Sequence, residues 1–229
     1  MPHFISSNHD NLSPWLWPQL NALLAPSWPR LFGYHLLAIG PWAAQLDFSG
    51  SPIRHHCMVN GPGGVVAAVD ALPFAEHSVD LVVLPFTLHH SQDPHQVMRE
   101  AYRVLIPGGH LLIIQPNHWG LAAAMPWLAK QRQHPLWQGN WLSPWRLHEW
   151  LSLLACEIRQ QHYLAFTTGW RQQPPADWLE QRGRRWLGPL AAVEVILACK
   201  QETPLTLVRM PQRSARRTAR PALAPQARL

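Results

Sequence analysis

VVAAVDALPFAEHSVDLVVLPFTLHHSQDPHQVMREAYRVLIPGGHLLIIQ, residues Val65 to Gln115, reads as strand, loop, strand, loop, helix, turn, strand. Leu81 to Phe86 is a continuous apolar run introduced by Asp80, and Leu111 to Ile114 is a second, introduced by Pro107, Gly108 and Gly109. Uninterrupted apolar strands are buried on both faces, which points to a parallel sheet covered by helices. Between them Asp93 offers an N-cap and Pro94 a first-turn proline, and Val97, Met98, Ala101, Val104 and Leu105 follow at helical spacing. The unit is therefore strand, helix, strand, with the helix packed on the sheet.

The rest of the chain limits what can surround this unit. A length of 229 residues gives one α/β domain with a real core and an appendage. No apolar run reaches the length of a membrane span, and MPHFISSNHD lacks a charged region followed by an apolar one, so secretion is not expected. Cys57, Cys156 and Cys199 are odd in number and widely spaced, which fits a reducing, cytoplasmic setting and gives neither a disulfide framework nor a zinc site. The net charge is +6, yet residues 1 to 202 carry 13 basic and 13 acidic side chains. The excess belongs to Arg209, Arg213, Arg216, Arg217, Arg220 and Arg228, in a Pro-rich tail without acids. We read residues 1–30 as a helical cap, 31–202 as the α/β domain and 203–229 as a disordered basic tail, suited to weak, salt-dependent contact with anionic surfaces and to no specific nucleic acid.

Ahead of the central unit, Ser13 and Pro14 start a helix carrying Trp15, Leu16, Leu20, Leu23 and Leu24. It lacks the basic face of an interfacial helix and is expected to pack on the sheet. Leu36 to Ile39 reads as the first core strand. Arg54 to Asn60 and Val65 to Val69 read as two more, joined only by Gly61 to Gly64. Parallel neighbours need a longer connection, so this edge is expected to be trimmed or antiparallel. Later, Ser143 and Pro144 start a helix with Leu147, Leu151 and Leu154 on one face, a strand runs near Ile158 to Phe166, and Ala192 to Lys200 closes the sheet.

Asp70, Leu72, Pro73 and Phe74, then Ser78 and Asp80, then Leu88, His89 and His90, and finally Asp93, Pro94, Arg99, Glu100, Arg103, Val104, Leu105 and Pro107 to Gly109 carry a resemblance. The pattern resembles the class I S-adenosylmethionine-dependent methyltransferases of the type-11 subgroup. The resemblance implies a Rossmann-like sandwich with a mostly parallel sheet and a closing antiparallel strand. It implies S-adenosyl-L-methionine as cofactor, with Gly40 in the loop after the first strand, Asn60 near the ribose, Asp70, Ala71 and Leu72 at the adenine, and Pro85 facing the methyl group. The family's loop has the pattern G-x-G-x-G, whereas here Gly40 is followed by Pro41, Trp42, Ala43 and Ala44.

His89 and His90 are candidates for a general base, because imidazole exchanges protons near neutrality; the alternative role is packing the loop that holds them. With His95 they have no acidic or cysteine companion at metal-ligand spacing, so no metal is expected. Asn117 and Trp119 fall where the family places its substrate-facing insertion, and the aromatic residues from Trp119 to Trp141 suit a flat or apolar small-molecule acceptor. Between Thr167 and Gly188, Arg171, Arg182, Arg184 and Arg185 interleave with Trp170, Trp178 and Trp186, a pattern that suits either phosphate binding or an anchored surface loop. The implied function is methyl transfer to such an acceptor. The alternative is a catalytically inactive member of the fold that binds or scaffolds.

Overall fold

A computed structural model describes residues 15–117, 119–120, 139–165 and 190–201. Its centre is a six-stranded sheet: β1 (His35–Ile39), β2 (His55–Val59), β3 (Val79–Pro85), β4 (Leu105–Pro116), β5 (Cys156–Leu164) and β6 (Val193–Lys200). Across the sheet the order is β2-β1-β3-β4-β6-β5. The first four strands are parallel, and β6 runs antiparallel between β4 and β5. The apolar runs at 81–86 and 111–114 are the two central strands, β3 and β4.

Helices form where caps and spacing predict them. In α3 (Pro94–Val104) the Asp93 carboxylate accepts from the Gln96 backbone N–H at 3.0 Å, and Val97, Met98, Ala101 and Val104 are buried. In α4 (Pro144–Leu153) the Ser143 hydroxyl accepts from Arg146 N–H, and Leu147 and Leu151 are buried. These two helices cover one face of the sheet, against Ile39, Val82, Leu84, Leu111, Ile113 and Ile196. The other face is covered by α1 (Leu16–Leu24) and by 3-10 turns at Trp28–Arg30 and Pro41–Gln45. Trp15, Trp17, Leu20 and Trp28 are buried there, so the leading helix packs on the sheet, with its expected start, Ser13 and Pro14, outside the described residues.

The first half of the sheet is trimmed. Among the described residues no α-helix lies between β1 and β3. The edge is not antiparallel, however: β2 pairs with β1 in parallel, from His35 opposite His55 to Ile39 opposite Val59. Residues 40–54, with their 3-10 turn, are long enough for that crossover. The expected strand at Val65–Val69 is absent; only one bridge forms, between Val59 and Val65. The Asn60 side chain explains this, because its amide donates to Ala67 O at 2.7 Å and accepts from Ala67 N–H at 3.1 Å. Ala67's backbone groups are thereby taken by a side chain, and a ladder cannot propagate past them.

The expected strand near 158–166 begins and ends about two residues earlier, as β5. Most of the expected aromatic lid, the loop from Thr167 to Gly188 and the basic tail from 203 lie outside the described residues. Among the described residues no helix is long and apolar enough to cross a membrane, and no group of three or more His, Cys, Asp or Glu is placed to hold a metal ion.

Candidate active site

In an open α/β sheet, ligands bind where the parallel strands end. Here that end gathers Gly40 after β1, Asn60 after β2, Pro85 to His90 after β3, and Asn117 and Trp119 after β4. Asp70 joins them because Gln96, in the first turn of α3, donates to its carbonyl at 3.4 Å.

Gly40 has φ 108°, a backbone that side-chain-bearing residues rarely adopt, and its N–H donates to Val59 O at 2.8 Å. A β-carbon added there would stand 2.9 Å from Thr87 Oγ1. Thr87 itself donates to Ile39 O, tying the end of β1 to the start of α2 (Thr87–His90). Trp42, where the family's loop has its second glycine, is buried at 3% exposure. Its ring stands edge-on to Phe86, 6.0 Å between centroids, and 4.5 Å from His90. Phe86 is also buried, has φ 56°, and meets Trp17 edge-on. The loop is therefore built from indole and phenyl packing rather than from glycine flexibility.

The segment 70–74 has no helix or strand of its own, and α3 supplies its backbone partners. Gln96, Glu100 and Arg103 lie along one side of that helix. Below the Gln96 contact, Glu100 Oε2 accepts from Leu72 N–H at 3.0 Å. Arg103 donates to Leu72 O and Phe74 O, each at 3.0 Å, and to both Glu100 oxygens. The Arg103 guanidinium holds the Glu100 carboxyl below the usual carboxylate range against the opposing effect of burial, and the Leu72 N–H adds to the shift. Asp70, by contrast, is exposed, and among the described residues its carboxylate accepts no hydrogen bond. Ala71 N–H is directed at Ala68 O at 3.2 Å.

The remaining candidates divide. Asn60 is engaged with Ala67, so its amide shapes the loop. His89 is buried at 1% exposure; its Nδ1 pairs with Asn140 O at 2.8 Å, and Asn140 N–H donates back to His89 O. The His89 ring also meets Trp141 at 5.5 Å and His90 at 4.7 Å. Both imidazoles are built into the packing under the site, His90 through Trp42. Asn117 is buried too, donating to Ala191 O at 2.9 Å and accepting from Trp119 N–H, which fixes the turn after β4. Trp119 is 65% exposed and presents its ring outward.

A buried polar cluster that the motifs above do not mark lies beside this end of the sheet. Glu194 is fully buried, accepting from Gln115 Nε2 at 3.0 Å and Gln161 Nε2 at 2.6 Å. Its signal was a lone acid inside the apolar run AVEVILACK, opposite a glutamine in register.

A family model described as a methyltransferase domain matches residues 23–113. A protein of Escherichia coli (strain K12), described as uncharacterized protein YafS, is 32% identical over 202 residues, spanning 84% of this chain and 79% of that protein. A ubiquinone/menaquinone biosynthesis C-methyltransferase of Klebsiella pneumoniae is 33% identical over 72 residues, which cover 31% of this chain and 29% of its own length. Among solved structures, a SAM-dependent methyltransferase of Thermotoga maritima superposes with a TM-score of 0.55 at 17% identity, covering 82% of this chain and 93% of that one, a likeness of fold. The sheet, its carboxyl-end loop cluster and these matches define one class of protein. The chain belongs to the class I S-adenosylmethionine-dependent methyltransferases of the type-11 group.

Proposed function

We propose that this protein transfers a methyl group from S-adenosylmethionine to a small apolar or aromatic acceptor, with Asp70 and Gly40 as its principal cofactor contacts. The observation that carries the assignment of residues is the Asp70 carboxylate, exposed and, among the described residues, without a hydrogen bond, at the ligand-binding end of the sheet, on a segment that α3 holds in place. A carboxylate so placed suits the adenine exocyclic amine. Gly40 suits close backbone approach.

The cofactor supplies an already activated methyl group, so the protein's task is alignment and exclusion of water. Pro85 ends β3 at the reaction side and Phe86 follows it, fixed between Trp17 and Trp42. Trp119 offers an exposed flat apolar surface for the acceptor. His89 and His90 pack beneath this end of the sheet, and the acceptor either carries no proton at the methylated atom or releases it to solvent.

Calorimetric titration with S-adenosylmethionine and S-adenosylhomocysteine, beside Asp70→Ala, tests this reading. A dissociation constant of about 100 µM or tighter, roughly 5.5 kcal/mol, lost in the variant, supports it. Absence of binding to the native chain at millimolar ligand overturns it.

A further inference from the structure

The trimmed first half leaves part of the sheet uncovered at the end opposite the methyl-transfer site. A groove of about 560 Å³ opens there, at the amino ends of β1, β2 and β3. Its floor is His35 and Leu37 of β1 beside His55 and Cys57 of β2, paired in register, with Arg54 at the rim and Phe74 as part of the wall. A sheet face under a helix would carry Val or Ile at the positions of His35 and His55. Both are instead exposed, and their rings stack with centroids 5.3 Å apart.

Arg54 is the formally charged side chain among the residues that line the groove. Among the described residues no Asp or Glu lines it. Arg54 has no ion-pair partner among the described residues. The adjoining carboxylate, Asp80, is already engaged, accepting from the N–H groups of Tyr34 and His35, each at 2.9 Å. The volume falls within the range of roughly 300–1,000 Å³ typical of small-molecule sites. A floor of paired imidazoles beside Leu37 and Cys57, a wall that includes Phe74 and a guanidinium without an ion-pair partner among the described residues fit one kind of occupant.

We propose that this groove is a second binding site, for a small organic anion with a flat apolar body and a carboxylate, sulfonate or phosphate group directed at Arg54 and His55. Such a ligand would lie on the sheet face that a crossover helix would otherwise cover, away from Gly40 and Asp70.

The test uses the full-length protein and the aromatic sulfonate 8-anilinonaphthalene-1-sulfonate, followed by its fluorescence. Saturable binding is expected, weakened about tenfold or more in Arg54→Gln and in His55→Gln, and unchanged in Arg159→Gln, whose guanidinium pairs with Glu157 on β5. Saturating S-adenosylhomocysteine should leave it unaffected, and the bound sulfonate should slow alkylation of Cys57 several-fold. Both substituted groove residues are exposed, so the variants are expected to keep the native thermal midpoint, which checks folding. Absence of saturable binding, indifference to Arg54→Gln and His55→Gln, or displacement by S-adenosylhomocysteine would overturn the proposal. None of these outcomes depends on whether the protein methylates an acceptor.

Discussion

Arg103 and Glu100, three residues apart on α3, are joined by two hydrogen bonds, Nε to Oε1 at 2.9 Å and Nη2 to Oε2 at 2.8 Å. The pair faces the segment 70–74 rather than solvent alone, and each partner also bonds that segment's backbone. An ion pair on a helix surface contributes little by itself. This one satisfies a loop that has no secondary structure to satisfy it.

Arg103→Met should therefore cost more than a surface ion pair. It leaves the carbonyls of Leu72 and Phe74 and Glu100 Oε1 without the Arg103 donors, and Glu100 Oε2 with the Leu72 N–H alone. A loss of about 2–4 kcal/mol is expected in urea unfolding, and Arg103→Lys should recover only part of it because a single ammonium cannot reproduce the fork. A loss within about 0.5 kcal/mol would show that the clamp is incidental. Cofactor affinity should fall with the clamp, since the same segment begins at Asp70.

The clamp also predicts a pH dependence. The Arg103 hydrogen bonds hold the folded-state pKa of Glu100 below its unfolded value. Its contribution to stability is thus fully present above the unfolded value. As the pH falls the unfolded state takes up the proton first, and the contribution is lost down through the folded value. The stability difference between the native protein and Glu100→Gln should be largest near neutrality and shrink below about pH 4.5, measured as urea midpoints across that range. A difference that does not change with pH would contradict the assignment.

Gly40→Ala should destabilise the fold by about 1–3 kcal/mol, because φ is 108° and the new methyl group would press on Thr87 Oγ1. Thermal unfolding measures the first effect. Calorimetry with S-adenosylhomocysteine should show weaker binding as well, as the displaced Thr87 releases the end of β1. Full affinity in a folded Gly40→Ala protein would remove Gly40 from the proposed cofactor contacts.

The three cysteines should separate on alkylation. Cys57 is partly exposed, whereas Cys156 and Cys199 are buried. Burial pushes the Cys156 thiol up to about 11, so it remains the unreactive neutral form at ordinary pH. Iodoacetamide at about pH 8 should modify one cysteine per native chain, at position 57 by peptide mass, and all three in denaturant. Fast labelling at Cys156 would show that α4 and β5 open readily.

The central strands and capped helices were legible in the sequence because their causes are local. The apolar runs at 81–86 and 111–114 announce strands buried on both faces, and Asp93-Pro94 and Ser143-Pro144 announce helix starts through side-chain oxygens three residues from the N–H groups they cap. Asp70 stands out as a candidate through its family pattern. Pairings between distant segments were not legible. Gly61 to Gly64 suggested a hairpin, and only the folded chain shows Asn60 taking both backbone groups of Ala67 and leaving β2 parallel at the edge.

The sequence by itself determined the α/β class, the order of the main elements and the family, because each rests on periodicity, capping and short-range pattern. Tertiary structure alone decided which polar side chains remain available for chemistry. Asn60 is bonded to Ala67, His89 Nδ1 to Asn140 and Asn117 Nδ2 to Ala191, whereas the Asp70 carboxylate accepts no hydrogen bond among the described residues. The physical reason is that a polar group drawn wholly or partly out of solvent takes a partner wherever the fold brings one, and for these three the partners lie 7, 51 and 74 residues away along the chain.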